Sequence, residues 1–169
     1  MRAIFVGASP LTVMAARRLL KAGHDVVIIE EDKERISTLS ETLDCGFIHG
    51  DGSRPAVLEE LSPGESDMLF CLSSEDQDNI IASLVAQTMN FRRVITKIED
   101  PDFQVICTKL GLDDVIVPDR DVGERLADLV VEVDAVREHE KVEILKLGRR
   151  DGEVRLQFER REHHREALA

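Results

Sequence analysis

The chain of 169 residues contains no tryptophan and no tyrosine, and its aromatic side chains of any size are six phenylalanines. Without tyrosine, one of the usual proton donors of hydride-transfer chemistry is missing. Cysteine is scarce too. Cys45, Cys71 and Cys107 are odd in number, far apart and mostly inside apolar segments, which excludes a disulfide framework or a cysteine metal cluster and reads as small core residues. No apolar run approaches the ~20 residues needed to cross a bilayer, and the N-terminus lacks a signal peptide's basic and apolar regions, so a cytoplasmic location is expected. Bases are outnumbered, 22 Lys and Arg against 34 Asp and Glu, for a net charge of −12. A surface of that sign repels nucleic acid and anionic membranes. H-E-x-x-H, G-x-S-x-G and any paired general acid and base are absent, so no catalytic residue and no metal site is assigned.

What is present begins with Met1 to Glu31. Ala3 to Val6 are an apolar run, Gly7 opens a tight turn, and Ser9-Pro10 sets an N-cap before a proline at the first helical position. Val13, Ala16, Leu19 and Leu20 recur at helical spacing up to Gly23, and Val26 to Ile29 form a second apolar run ending in Glu30. This is a βαβ unit, in which the first helix N-terminus faces an anion and an acid about 20 residues on accepts hydrogen bonds from a ribose. Its glycine fingerprint is incomplete. Gly7-Ala8-Ser9-Pro10-Leu11-Thr12 keeps the first glycine only.

The β-then-α rhythm continues. Asp32 caps a helix leading to a strand at Cys45 to His49, and Ser53, after Gly50-Asp51-Gly52, caps a short helix through Leu61. Asp67 to Leu72 is a strand covered on both faces, and Ser74 with Gln77 reads as a capping box for a helix carrying Ile80, Ile81, Leu84, Val85 and Met89. Val94 to Ile98 is the fifth strand. Asp100-Pro101 then starts a helix expected to bury Phe103, Val105, Ile106 and Leu110, and Val115 to Val117 is the sixth strand. Six such steps predict a Rossmann-like, doubly wound parallel sheet of order 3-2-1-4-5-6 in an α/β fold.

Ligands of such sheets sit beyond the strands' carboxyl ends, at the switch between strands one and four. That edge gathers the candidate binding residues. The first turn supplies Gly7, Ala8, Ser9, Pro10 and Leu11; the end of strand two supplies Glu30 and Glu31. Asp51, Gly52 and Ser53 follow strand three, Ser73 and Ser74 follow strand four, and Lys97 ends strand five. In this reading the first turn holds phosphate, Glu30 a ribose, the Ser73 region the neighbouring nucleoside and Lys97 a second anionic group.

Beyond Pro118 the rhythm changes. Asp121 with Glu124 starts a long helix striped by Val122, Leu126, Leu129, Val130, Val133 and Val136, and its length points to an interface with another subunit. Lys141 to Leu147 and Glu153 to Phe158 read as a hairpin around a loop from Gly148 to Gly152. Glu159 to Ala169, including His163-His164, reads as a solvated tail. The expected division is a nucleotide-binding domain over residues 1–134 and an extension with hairpin over residues 135–169.

The series GASPLT, VVIIEED, HGDGS, LFCLSSEDQDN and ITKIEDPDF, at these intervals, resembles the N-terminal domain of the regulator-of-potassium-conductance family (RCK, also called TrkA-N or KTN) over about Met1 to Leu129. The resemblance implies a cytoplasmic subunit, peripheral to the membrane's inner face, that binds NAD(H), ATP, ADP or AMP and gates a potassium channel or transporter. It implies homodimers, commonly assembled into octameric rings, with the long helix as a subunit contact. By position it puts Gly7 and Ser9 at the phosphates, Glu30 at the ribose, Asp51 and Gly52 at the nucleoside side, Ser73 near the base and Lys97 at the far phosphate or nicotinamide. Ser9 and Thr12 stand where the family has glycines, and Pro10 where some members carry an arginine. Only the hairpin lies in the place of the family's C-terminal domain, which is therefore expected to be incomplete or absent. Two other readings stand beside this one: a nucleotide-free interaction module of the same fold, and a small NAD(P)-dependent oxidoreductase.

Overall fold

The structure, a computed structural model, describes residues 1–140, 146–150 and 153–157, with side chains through residue 131. Apolar runs bounded by turn residues become six parallel strands: β1 (Arg2–Val6), β2 (Asp25–Glu30), β3 (Gly46–His49), β4 (Met68–Cys71), β5 (Val94–Lys97) and β6 (Val115–Ile116). They pair in the order β3-β2-β1-β4-β5-β6. Between them run α1 (Pro10–Lys21), α2 (Lys33–Ser40), α3 (Pro55–Glu59), α4 (Asp76–Gln87) and α5 (Asp102–Lys109), and α6 (Pro118–Glu140) follows β6. The doubly wound sheet expected from the alternation is thus formed.

The central strands are apolar because both faces are covered. Ile4, Val6, Val27, Ile29, Leu69 and Cys71 face one core with Leu58, Leu61, Ala82 and Ala86, while Phe5, Val26 and Ile28 face the other with Ala16, Leu43 and Leu72. At the β1–β4 junction Phe5 pairs with Phe70, and their rings stack with centroids 4.8 Å apart. Each such large side chain taken from water contributes about 1.5–3 kcal/mol.

Several local expectations are corrected. Ser53 caps nothing: α3 starts after Arg54 without a side-chain cap, because the Ser53 hydroxyl donates to Asp51 Oδ1 at 2.6 Å. The Ser74–Gln77 capping box does not form either. Helix α4 begins at Asp76, whose carboxylate reaches the loop after β5 and accepts the Glu99 and Asp100 N–H groups at 2.8 and 3.0 Å. In α5 the contact with the sheet is carried by Phe103 and Cys107, one turn apart, so Val105, Ile106 and Leu110 are exposed rather than buried. Helix α6 starts at Pro118, three residues before the expected Asp121.

By compactness the chain divides into residues Met1–Asp121 and Val122–Ala169, a break that falls within α6. In the second unit, β7 (Lys146–Arg150) and β8 (Glu153–Gln157) pair antiparallel, with Arg150 opposite Glu153. The first hairpin strand therefore runs through Gly148 to Arg150, which the sequence assigned to the loop. The expected strand residues 141–145, the loop residues 151–152, Phe158 and the tail with His163-His164 lie outside the described residues.

Candidate functional site

The βα turn after β1 shapes one wall of the site. Gly7 takes a φ of +85°, and its Cα sits so close to the β4–α4 loop that a Cβ would lie 2.6 Å from Ser73 Cα. Only glycine fits both demands. Ser9 then caps α1, its Oγ accepting the Thr12 N–H at 3.3 Å, while the fully buried Thr12 donates its hydroxyl to Gly7 O at 2.7 Å. Thr12 thus packs at the third glycine's position by turning its polar atom onto the turn itself.

Glu30, at the end of β2, faces that turn. Its Oε2 accepts the Ala8 N–H at 2.7 Å and its Oε1 the Glu31 and Asp32 N–H groups at 2.9 and 3.0 Å. The third wall is the loop after β3. Asp51 accepts the Ser53 N–H at 2.8 Å and the Ser53 hydroxyl, and Arg54 stands 3.2 Å away, so its carboxyl is held below the usual carboxylate range, first by the Ser53 bonds. Gly52 lies against β1, where a Cβ would overlap Val6 Cγ1. The fourth wall, Ser73, is fixed by Asn79, which is fully buried: its Oδ1 accepts the Ser73 N–H at 2.8 Å, and its amide donates to Ser73 O and Lys97 O.

These walls enclose a cleft of about 340 Å³ at the β1–β4 switch point, floored by Val6 and Ile29. Eleven of the thirteen residues expected from sequence line it: Gly7 to Pro10, Glu30, Glu31, Asp51 to Ser53, Ser73 and Ser74. Leu11 and Lys97 do not. Leu11 projects from the outer side of α1, 39% exposed. Lys97 lies one strand beyond the switch, 5% exposed, and its buried ammonium pairs with Glu99 Oε1 at 2.7 Å. The cleft adds residues that sequence reasoning missed, notably Arg35 and Asp78. A cation in the first turn of α2, three residues after the cap Asp32, was the available signal for Arg35. Among the described residues, no group of three or more His, Cys, Asp or Glu is placed to hold a metal ion, and no helix is long and apolar enough to cross a membrane.

A doubly wound sheet with a polar cleft at its switch point defines a Rossmann-like domain. More narrowly, the chain belongs to the TrkA-N domain family, whose family model matches residues 3–118. It is 24% identical over 154 residues to a Trk system potassium uptake protein TrkA homolog of Methanothermobacter thermautotrophicus, covering 91% of this chain and 68% of that protein. It is 32% identical over 125 residues to the TrkA homolog of Pyrococcus abyssi, covering 71% of this chain and 55% of that one. Among solved structures, the NAD(P)-binding domain of an exopolyphosphatase-related protein from Archaeoglobus fulgidus superposes with a TM-score of 0.69 at 18% identity, covering 77% of this chain and 97% of that one. The GsuK channel bound to NAD gives 0.63 at 20% identity, covering 69% and 21%. The Kef C-terminal domain of Shewanella denitrificans in AMP-bound form gives 0.63 at 17%, covering 83% and 97%. At these identities the structural likenesses show the shared fold.

Proposed function

We propose that this chain is a nucleotide-sensing regulatory component of a potassium transport system, non-catalytic and acting at the cytoplasmic face of the membrane through a membrane-embedded partner. Residues 1–134 form the nucleotide-binding domain and residues 135–169 an extension. The observation that carries this reading is the cleft itself, where the first turn, Glu30, Asp51 and Ser73 converge from four separate strand ends. The ligand is NAD(H) or an adenine nucleotide, in line with what GsuK and the Kef domain bind. Ser9 offers its N–H group to phosphate, and Glu30 accepts from the ribose. The chain works as a homodimer, within a larger ring in the assembled system. Supporting this, Val122, Leu126, Leu129 and Val130 leave an apolar stripe of α6 exposed. Nucleotide favours one arrangement of the paired subunits and biases the partner by its differential affinity for the two.

Thermal unfolding in the presence of NAD, NADH, ATP, ADP or AMP tests the reading. A ligand at 100 times its Kd adds about 2.7 kcal/mol to the folded state, and Glu30→Ala is expected to remove the shift. A second reading, a nucleotide-free interaction module, is favoured by one observation: Glu30 already accepts the Ala8 N–H, and Ser9 and Thr12 bond each other within the turn. Absence of any shift would favour it. Turnover of NADH with a small carbonyl compound would instead revive the oxidoreductase.

A further inference from the structure

A phosphate at a βα turn is held by N–H groups that the helix leaves unpaired, so the supply can be counted. Pro10 has none. The Gly7 N–H donates to Ile29 O at 2.9 Å and the Ala8 N–H to Glu30 Oε2 at 2.7 Å. Thr12 N–H is taken by Ser9 Oγ and Val13 N–H by Ser9 O, at 3.3 and 3.0 Å. From Gly7 to Val13 this leaves the N–H groups of Ser9, which lines the cleft, and of Leu11, which does not.

The hydroxyls of the turn add nothing. Thr12 gives its one proton to Gly7 O, so the 3.1 Å bond between Ser9 Oγ and Thr12 Oγ1 is donated by Ser9, whose proton is thereby used. At most two N–H groups are thus left in the turn, enough for the oxygens of one phosphate. A second phosphate would have to approach past the Ser9 side chain, where the usual glycine leaves room.

Charge acts in the same direction. The cleft is lined by four carboxylates, Glu30, Glu31, Asp51 and Asp78, against one cation, Arg35. Each added phosphate brings only acceptors and negative charge to these walls. A nucleoside brings donors, the ribose hydroxyls and an exocyclic amine. Of the about four lone-pair sites of the Glu30 carboxylate, three are occupied by backbone N–H groups, which leaves one for a ribose hydroxyl.

We propose that the cleft selects an adenine ribonucleoside carrying at most one phosphate and discriminates against the pyrophosphate-bearing nucleotides ADP, ATP and NAD, an inference that rests on the nucleotide-binding reading above. Isothermal titration of the full chain with adenosine, AMP, ADP, ATP and NAD, each with and without Mg²⁺, tests it. Adenosine or AMP is expected to bind at least tenfold more tightly than any of the other three in both conditions. A Ser9→Gly, Pro10→Ala double variant, which opens the turn and restores an N–H, is expected to narrow that ratio several-fold. A ratio below tenfold in the unaltered chain, with or without Mg²⁺, overturns the selectivity and leaves nucleotide binding standing. Binding of none of the five overturns both. An unchanged ratio in the folded double variant overturns the role given to the turn.

Discussion

Gly7 joins two constraints in one residue, a φ of +85° and a backbone that nearly touches Ser73. Gly7→Ala would impose left-handed strain and drive a methyl group into that backbone, so it is expected to lower the unfolding free energy by at least about 2 kcal/mol in urea titrations. Asn79 acts at one remove from the cleft. Its replacement by Ala would strand the Ser73 N–H and the carbonyls of Ser73 and Lys97, at a cost of about 3 kcal/mol. Because Ser73 lines the cleft, the same variant is expected to weaken a nucleotide-induced thermal shift. The tight turn at Gly7 was legible in the sequence, but the role of Asn79 was not: it looks like one more polar residue in a helix, and its bonds reach six and eighteen positions away.

Between elements, ionic and capping interactions join segments that are distant in the chain. Arg93, just before β5, grips Asp114, just before β6, with bonds of 2.6 and 2.8 Å. This pair holds the Asp114 carboxyl below the usual range, as the Ser53 bonds do for Asp51. The folded state therefore binds fewer protons than the unfolded one near the unfolded carboxylate pKa of about 4. The resulting stabilisation is fully present above that pH and is lost as pH falls through the lowered folded values. Chemical denaturation from pH 6 down to pH 2.5 is expected to show this decline, with a smaller slope in Asp114→Asn. The thiols report on the elements differently. Burial pushes Cys71, in β4, up to about 12, and Cys107, in α5, is likewise buried and raised, so both are expected to resist a thiol reagent until the sheet unfolds.

At the scale of the molecule, α6 leaves the stripe of Val122, Leu126, Leu129 and Val130 exposed. Leu126→Glu puts a charge on that stripe, and sedimentation is expected to show a dimer for the unaltered chain and a monomer for the variant. A monomer in both would remove α6 as the subunit contact.

The sequence by itself determined the order and type of the elements and the strand order of the sheet. Parallel strands covered on both faces must read as apolar runs, and Gly7, Ser9-Pro10, Asp32 and Asp100 punctuate them by local backbone chemistry. It also marked the edge where eleven lining residues meet. Tertiary structure decided which polar groups are still available there. Glu30 could be placed at the edge from sequence, but its capture of the Ala8 N–H, 22 residues away, depends on how two loops close on each other. Packing of the strand ends likewise brought Arg35 and Asp78 into the cleft and buried Lys97. A bond between segments far apart in the chain, such as that of Glu30 with Ala8, forms only when folding brings them within about 3 Å, and no local pattern encodes it.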